Sequence, residues 1–241
     1  DMVQKMPKGT NDFVTNVDRE AEQAIVAVLK KSFPTHGIVG EEHGDYGNSD
    51  SEFQWIIDPL DGTTNFIKGI PHFAVSIALK HQGKLDQAVI FDPLRGELFT
   101  ASRGRGAQLN GTRIRVNNLP DMQGTILATG FPFKNKTHMP AHGAMLASLL
   151  TDAADIRRTG SAALDLAYVA AGRFDGFFEI GLKPWDIAAG ELIVREAGGL
   201  VCDFVGGNNQ LRSGNVVAAS PKVLAAMLKG IRPHLTESLS R

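Results

Sequence analysis

The sequence of 241 residues contains one cysteine, Cys202. With no second thiol there is no intrachain disulfide, so a fold stapled by bridges is excluded and a reducing, cytoplasmic setting is expected. No uninterrupted apolar run approaches the roughly 20 residues of a membrane-spanning helix. The N-terminus also lacks a signal-peptide pattern. An excess of one charge is missing too: 25 basic and 26 acidic residues leave a net charge of −1. General nucleic-acid and membrane-surface binders carry a large basic excess, so only a local patch could serve such a role. Repeats, low-complexity tracts and linkers rich in Pro, Gly or Ser are absent as well. What is present is 43% hydrophobic and 21% charged residues, the balance of a globular chain that can bury a full core. At about 150 residues per domain, the length allows one large domain or two small ones.

The first helix is predicted to start near Thr15, with Ala21, Ala24, Ile25, Val28 and Leu29 on its buried face and Pro34 and Gly37 at its end. Gln54–Asp58 reads as a buried strand that ends on an acid. Between Phe73 and Val116, the pieces Phe73–Lys80, Leu85–Phe91, Glu97–Ser102 and Arg113–Val116 read as a β-meander. Turn chemistry at Gln82-Gly83, Pro93 to Gly96 and Asn110-Gly111 separates them. After Gly124 the rhythm becomes mixed. Strands are predicted at Thr125–Thr129, Phe174–Phe178 and Val216–Ala219, and helices at Ala141–Leu150, Ala162–Ala171, Asp186–Ala197 and from Pro221 onward. Strands first and mixed elements second predict two packed lobes with a seam near 120–125.

The chemistry concentrates in Asp58-Pro59-Leu60-Asp61-Gly62-Thr63-Thr64-Asn65-Phe66. Two carboxylates three residues apart at the end of an apolar strand repel unless a proton or a cation lies between them. Oxygen ligands select Mg²⁺, Mn²⁺ or Ca²⁺ over zinc. Gly62 and Thr63 then offer backbone N–H groups to a phosphate. The competing reading is an Asp-rich turn that caps a helix. Other acids carry the same two readings. Glu41-Glu42 follows Ile38-Val39 at a second strand end, Asp186 opens a helix after Trp185, and Asp18 completes a capping box from Thr15. The histidines, His138 and His142 included, have no convincing metal spacing. Arg103-Gly104-Arg105 and Arg157-Arg158 read as turn or salt-bridge residues, and Gly104 with Gly106 is a weak dinucleotide signal.

Taken together, Gly40-Glu41-Glu42, Asp58–Phe66, Trp185-Asp186 with Ala188-Ala189-Gly190, and Glu196-Ala197-Gly198-Gly199 resemble the inositol monophosphatase family, over a stretch from Lys8 to Lys229. Lys8–Asp18, Gly130–Lys134 and Arg158–Tyr168 look closest to its bacterial SuhB-type branch. The resemblance implies an α+β fold, a layered αβαβα sandwich of the sugar-phosphatase type, with an antiparallel N-terminal sheet and a mixed C-terminal one. It implies lobes at 1–123 and 124–241, the first with most metal ligands, the second with Asp186 and the substrate contacts. The implied activity is Mg²⁺-dependent hydrolysis of myo-inositol monophosphate by a metal-activated water, sensitive to lithium. Related alternatives are fructose 1,6-bisphosphate, 3′-phosphonucleotide or NADP as substrate. An alternative of another class is a partner of RNA polymerase and Nus factors, with catalysis secondary. The family habit is a homodimer. The segment before Asp1 is expected to be missing, because family members begin with a further helix.

By the same resemblance, two or three Mg²⁺ ions would be held by Glu41, Asp58, the carbonyl of Leu60, Asp61 and Asp186. Asp18 and Thr63 would orient the attacking water, with Glu41 in the same catalytic group. Gly62 and Thr63 would bind phosphate, while Asp61, Gly160, Ser161, Ala162 and Glu179 would bind the sugar. Lys8 and Glu42 would support a third ion. Without the resemblance, Glu179 reads as an ordinary solvated acid at a strand end.

Overall fold

A computed structural model describes residues 5–9 and 12–240, with side chains at Met6 and from Thr15 onward. Strands β1 (Lys5–Gly9) and β2 (Asp12–Thr15) form an antiparallel pair that runs into helix α1 (Asn16–Ser32). Thr15 caps α1 through a capping box: the Asp18 carboxylate accepts from the Thr15 N–H at 2.9 Å, and the Thr15 hydroxyl accepts from the Asp18 N–H at 3.4 Å. Next come β3 (Gly37–Gly40), β4 (Gly44–Asp45) and β5 (Phe53–Asp61), then the short helix α2 (Thr63–Lys68). A meander follows: β6 (Ala74–His81), β7 (Lys84–Asp92), β8 (Glu97–Ser102), β9 (Gly106–Leu109) and β10 (Thr112–Arg113). Gln82-Gly83 and Asn110-Gly111 turn with positive φ at both residues (50° and 75°, 48° and 79°), the geometry that two-residue hairpins need.

These strands make one eight-stranded sheet in the order β10-β9-β8-β7-β6-β5-β3-β4. It is antiparallel except between β3 and β5, which run parallel because β4 and a loop return the chain between them. The second half comprises β11 (Ile126–Thr129), α3 (Met139–Leu150), β12 (Asp155–Arg157), α4 (Ala162–Ala170), β13 (Gly176–Glu179), α5 (Pro184–Glu196), β14 (Leu200–Cys202), α6 (Gln210–Ser213), β15 (Val216–Ala219) and α7 (Pro221–Ile231). Its five-stranded sheet has the order β12-β11-β13-β15-β14 and mixes parallel and antiparallel pairs.

The layers stack as α1, the eight-stranded sheet, α4 with α5, the five-stranded sheet, and α3 with α7. This is the αβαβα sandwich. Ile90, Phe99, Leu166, Ile193 and Phe177 belong to the core between the sheets, while Leu127, Phe178, Met145 and Met227 fill the space beneath α3 and α7. Phe177 and Phe178 are adjacent on β13, so the two-residue period of a strand sends one ring into each core. Helices α4 and α5 approach closely because Gly190 has no Cβ; one built there would lie 2.5 Å from the Leu166 side chain.

Two expectations need correction. The face that α1 buries is Asp18, Glu22 and Val26, while Ala24 is exposed and Val28 is 64% exposed. Carboxylates take the inward positions that apolar periodicity assigned elsewhere. The last meander strand ends at Arg113, and beyond it the Val116 N–H donates to the Ala197 carbonyl at 3.1 Å, drawing the chain towards the second half. Among the described residues, no helix is long and apolar enough to cross a membrane.

Candidate active site

Asp58 and Asp61 both lie on β5, and both line one cavity. Residues three apart on a regular strand face opposite sides. Here the ladder with β6 pairs Asp58 with Ser76 and Asp61 with Ala74, so two residues of β5 oppose one of β6. This bulge restores the phase and turns both carboxylates to the same side. Pro59 sits inside it, where the missing N–H costs no regular ladder bond. The chain then reverses at Gly62, whose φ of 95° and 3.1 Å clearance from its would-be Cβ to the His72 carbonyl leave no place for a side chain.

The cavity, about 180 Å³, opens where the two halves of the fold meet. Glu41 arrives from the end of β3, its N–H donating to the Ile57 carbonyl at 3.1 Å. Asp186 arrives from the first turn of α5, its carboxylate accepting from the Lys183 N–H at 2.7 Å. Glu41, Asp58 and Asp186 each offer an oxygen, and the three atoms lie within 4.8 Å of one another. Such an all-oxygen set suits a hard divalent cation and not zinc.

Asp61 lines the same cavity but is tied sideways: its Oδ2 accepts from the Ser161 hydroxyl at 2.6 Å and from the Ala163 N–H at 2.7 Å. Ser161 is the N-cap of α4, so this carboxylate is anchored to the start of the central helix. Asp18 does not line the cavity. Its second oxygen accepts from the Thr63 hydroxyl at 3.0 Å, so its influence arrives through Thr63, which does line it. One Asp18 oxygen thus serves the helix cap and the other accepts from Thr63.

Burial raises the Asp58 carboxyl well above the usual carboxylate range, and Glu41, Asp61 and Asp186 push it further. Burial likewise raises Asp186 to about 7, with Asp61 adding to it. Asp61 rises to about 6 through burial, its hydrogen bonds from Ser161 and Ala163 opposing the shift. Acids held together in this way keep their charge when a cation sits among them and take up protons when none does.

The remaining predicted residues divide clearly. Leu60, Gly62, Thr63, Gly160, Ser161, Ala162 and Glu179 line the cavity. Glu179 is no solvated strand-end acid. Burial raises its carboxyl well above the usual range, helped by Asp165, Asp186 and Asp61, with Arg158 opposing. A Cβ on Gly130 would strike its carboxylate, so that glycine gives it room. Glu42 does not line the cavity; its N–H donates to Glu22 at 2.9 Å. The Lys8 side chain lies outside the described residues.

Sequence reasoning missed Asp165 and the wall formed by Phe131, Lys134, His138 and Arg158. Asp165 is buried and accepts from the Thr159 hydroxyl at 2.6 Å. Its signal was present: it is the only charged residue in the otherwise apolar α4. Arg158, read as a salt-bridge residue, places its guanidinium 5.9 Å from the Phe131 ring centre at the cavity wall. Arg103 does make the expected ion pair, with Asp86 at 2.9 Å, and Arg157 pairs with Asp155. His142 is a core histidine, buried against Phe178 and 3.1 Å from the Thr129 hydroxyl.

Known proteins resemble this chain over nearly its whole length. A protein of Salmonella typhimurium (strain 14028s / SGSC 2262) named Nus factor SuhB is 59% identical over the whole chain, which covers 90% of that relative. The crystal structure of extragenic suppressor protein suhB from Bartonella henselae superposes with a TM-score of 0.93 at 44% identity, over 97% of this chain and 90% of that one. An IMPase of Thermotoga maritima superposes with a TM-score of 0.88 at 36% identity, over 99% and 90% of the two chains. The sequence pattern of the inositol monophosphatase family matches residues 2–237. The acids of the cavity thus sit in a chain that belongs to the inositol monophosphatase family.

Proposed function

We propose that this chain is a Mg²⁺-dependent phosphatase that hydrolyses a myo-inositol monophosphate to inositol and phosphate. The observation that carries this reading is the convergence of Glu41, Asp58 and Asp186 from three separate elements, beside a Thr63 hydroxyl tied to Asp18. Glu41, Asp58, the Leu60 carbonyl, Asp61 and Asp186 would hold the cations. Bound there, they would neutralise charge on the ester and its leaving oxygen and make a water more acidic. The N–H groups of Gly62 and Thr63 would bind phosphate oxygens. Asp18 and Thr63 would orient the attacking water, which would give up a proton as its bond to phosphorus forms, while the inositol oxygen would take up a proton as it leaves. Glu179, Asp61 and the Gly160-Ser161-Ala162 loop would bind ring hydroxyls, and Lys8 and Glu42 would support a third cation. In this reading residues 1–123 supply most cation ligands, and 124–241 supply Asp186 and the sugar contacts.

Phosphate release from inositol 1-phosphate, fructose 1,6-bisphosphate, a 3′-phosphonucleotide and a generic aryl phosphate, each with and without Mg²⁺, tests the proposal. The highest kcat/KM on the inositol ester, abolished by chelation, is the expected result. An inositol ester cleaved no faster than the aryl phosphate overturns the substrate assignment.

A second reading rests on the name that relatives at 58–59% identity carry, Nus factor SuhB. It makes the chain a partner of RNA polymerase and Nus factors. An Asp61→Asn variant that loses phosphatase activity yet still pulls down polymerase and restores the cellular phenotype would favour it. Sedimentation would establish whether the chain is the homodimer that the family resemblance implies.

A further inference from the structure

Among the described residues, Glu22 is the most completely coordinated carboxylate outside the cavity, and the phosphatase reading leaves it without a role. It is fully buried on α1, one turn beyond Asp18, so the two acids share the helix face that points inward. Its Oε2 accepts from the Glu42 N–H at 2.9 Å. Its Oε1 accepts from the His43 N–H at 3.1 Å and from the Tyr46 hydroxyl at 2.7 Å, and lies 2.7 Å from His43 Nδ1. Burial pushes the Glu22 carboxyl upward, but these bonds outweigh it and hold the group below its ordinary value. The loop is moulded around the carboxylate: a Cβ on Gly40 would collide with it.

Glu41 lies between these two points of attachment. Gly40 before it rests on the Glu22 carboxylate, and Glu42 after it donates to that carboxylate. Its own N–H is held by Ile57, next to Asp58. The peptide after Glu41 is therefore held by the Glu22 carboxylate and the one before it by the Ile57 carbonyl, with Gly40 packed against Glu22, and together these set the direction in which Glu41 leaves the backbone.

We propose that Glu22 is a positioning residue for cation binding, organising the 40–46 loop so that Glu41 meets Asp58 and Asp186. This rests on the reading of those three acids as cation ligands. Groups that orient a metal ligand cost roughly 10- to 100-fold in metal affinity when they are lost. Glu22→Gln keeps the shape but turns one acceptor into a donor facing an N–H or O–H.

Isothermal titration of the full chain with Mg²⁺, at a pH where the unchanged chain binds, reads the effect directly. Glu22→Gln is expected to weaken Mg²⁺ binding at least about tenfold, while its far-UV circular dichroism matches that of the unchanged chain. Tyr46→Phe, which removes one donor and touches no ligand, is expected to weaken it by a smaller factor. Glu20→Gln, on the exposed face of α1, is expected to change nothing. If the folded Glu22→Gln and Tyr46→Phe chains bind Mg²⁺ as the unchanged chain does, the inference is overturned while the cation reading stands. If Glu22→Gln does not fold, Tyr46→Phe and His43→Ala decide, and unchanged affinity in both overturns it. If the unchanged chain binds no Mg²⁺, the cation reading falls first and this inference with it.

Discussion

The Thr63 hydroxyl lies 3.0 Å from Asp18 Oδ1 and also 3.0 Å from the Leu60 carbonyl, which ties the start of α1 to the turn after β5. One hydroxyl proton serves two acceptors, so the oxygen keeps lone pairs for a group in the cavity. Thr63→Val conserves volume and removes that oxygen. In steady-state assays with Mg²⁺, kcat is expected to fall about 100-fold, the usual scale for losing a positioned proton-handling group. An unchanged kcat removes the Asp18–Thr63 pair from the mechanism.

Without cations, the acids should make stability depend on pH in a defined direction. Asp61 and Asp186 have folded values of about 6 and about 7 against an unperturbed 3.8. Between pH 4 and 7 the folded chain therefore binds more protons than the unfolded one, and stability falls as pH rises. The melting temperature in chelator is expected to be higher at pH 5 than at pH 8. Added Mg²⁺ should raise it more at pH 8, where the acids are charged and no proton competes. The opposite order at the two pH values contradicts the shared site.

Asp186→Asn removes one of three converging charges. At pH 8 in chelator this variant is expected to melt above the unchanged chain, at about 2–4 °C for each kcal/mol of repulsion relieved. It should also lose most of the response to Mg²⁺. Thermal scans with and without the ion measure both effects, and a variant that melts lower in chelator but keeps its Mg²⁺ response counts against the prediction.

Glu179 occupies space that Gly130 leaves open. Gly130→Ala is expected to displace that carboxylate and raise KM for the inositol ester, with little effect on an aryl phosphate that has no ring hydroxyls. Equal KM changes for the two substrates would make Gly130 a general packing position.

Much of the fold was legible because local chemistry and tertiary structure agree. Gln82-Gly83 and Asn110-Gly111 are turn pairs on any scale, and both adopt the positive φ they favour. Three-residue strands such as β12 and β14 carry no periodicity of their own and exist through their neighbours. The inward face of α1 was misread for a related reason: its buried positions hold Asp18 and Glu22, and an apolar count cannot see a face that buries charge. In the site, the Asp58–Phe66 stretch marks itself by composition, but the bulge that turns Asp61 beside Asp58 depends on the register with β6. Arg158 shows the limit from the other side. Its sequence surroundings are those of a surface pair, and only the folded chain shows it at the cavity wall beside Phe131.

Helices α4 and α5 are enclosed by sheets on both sides, and each begins at the cavity: Asp61 is bound to the first turn of α4, and Asp186 belongs to the first turn of α5. Their middle turns, Ala163–Ala167 and Ile187–Val194, are buried, so those amides meet water only when the sandwich comes apart. Deuterium should thus enter these turns only through global opening. Asp61 and Asp186 are thus anchored at the ends of the two helices least able to unfold on their own.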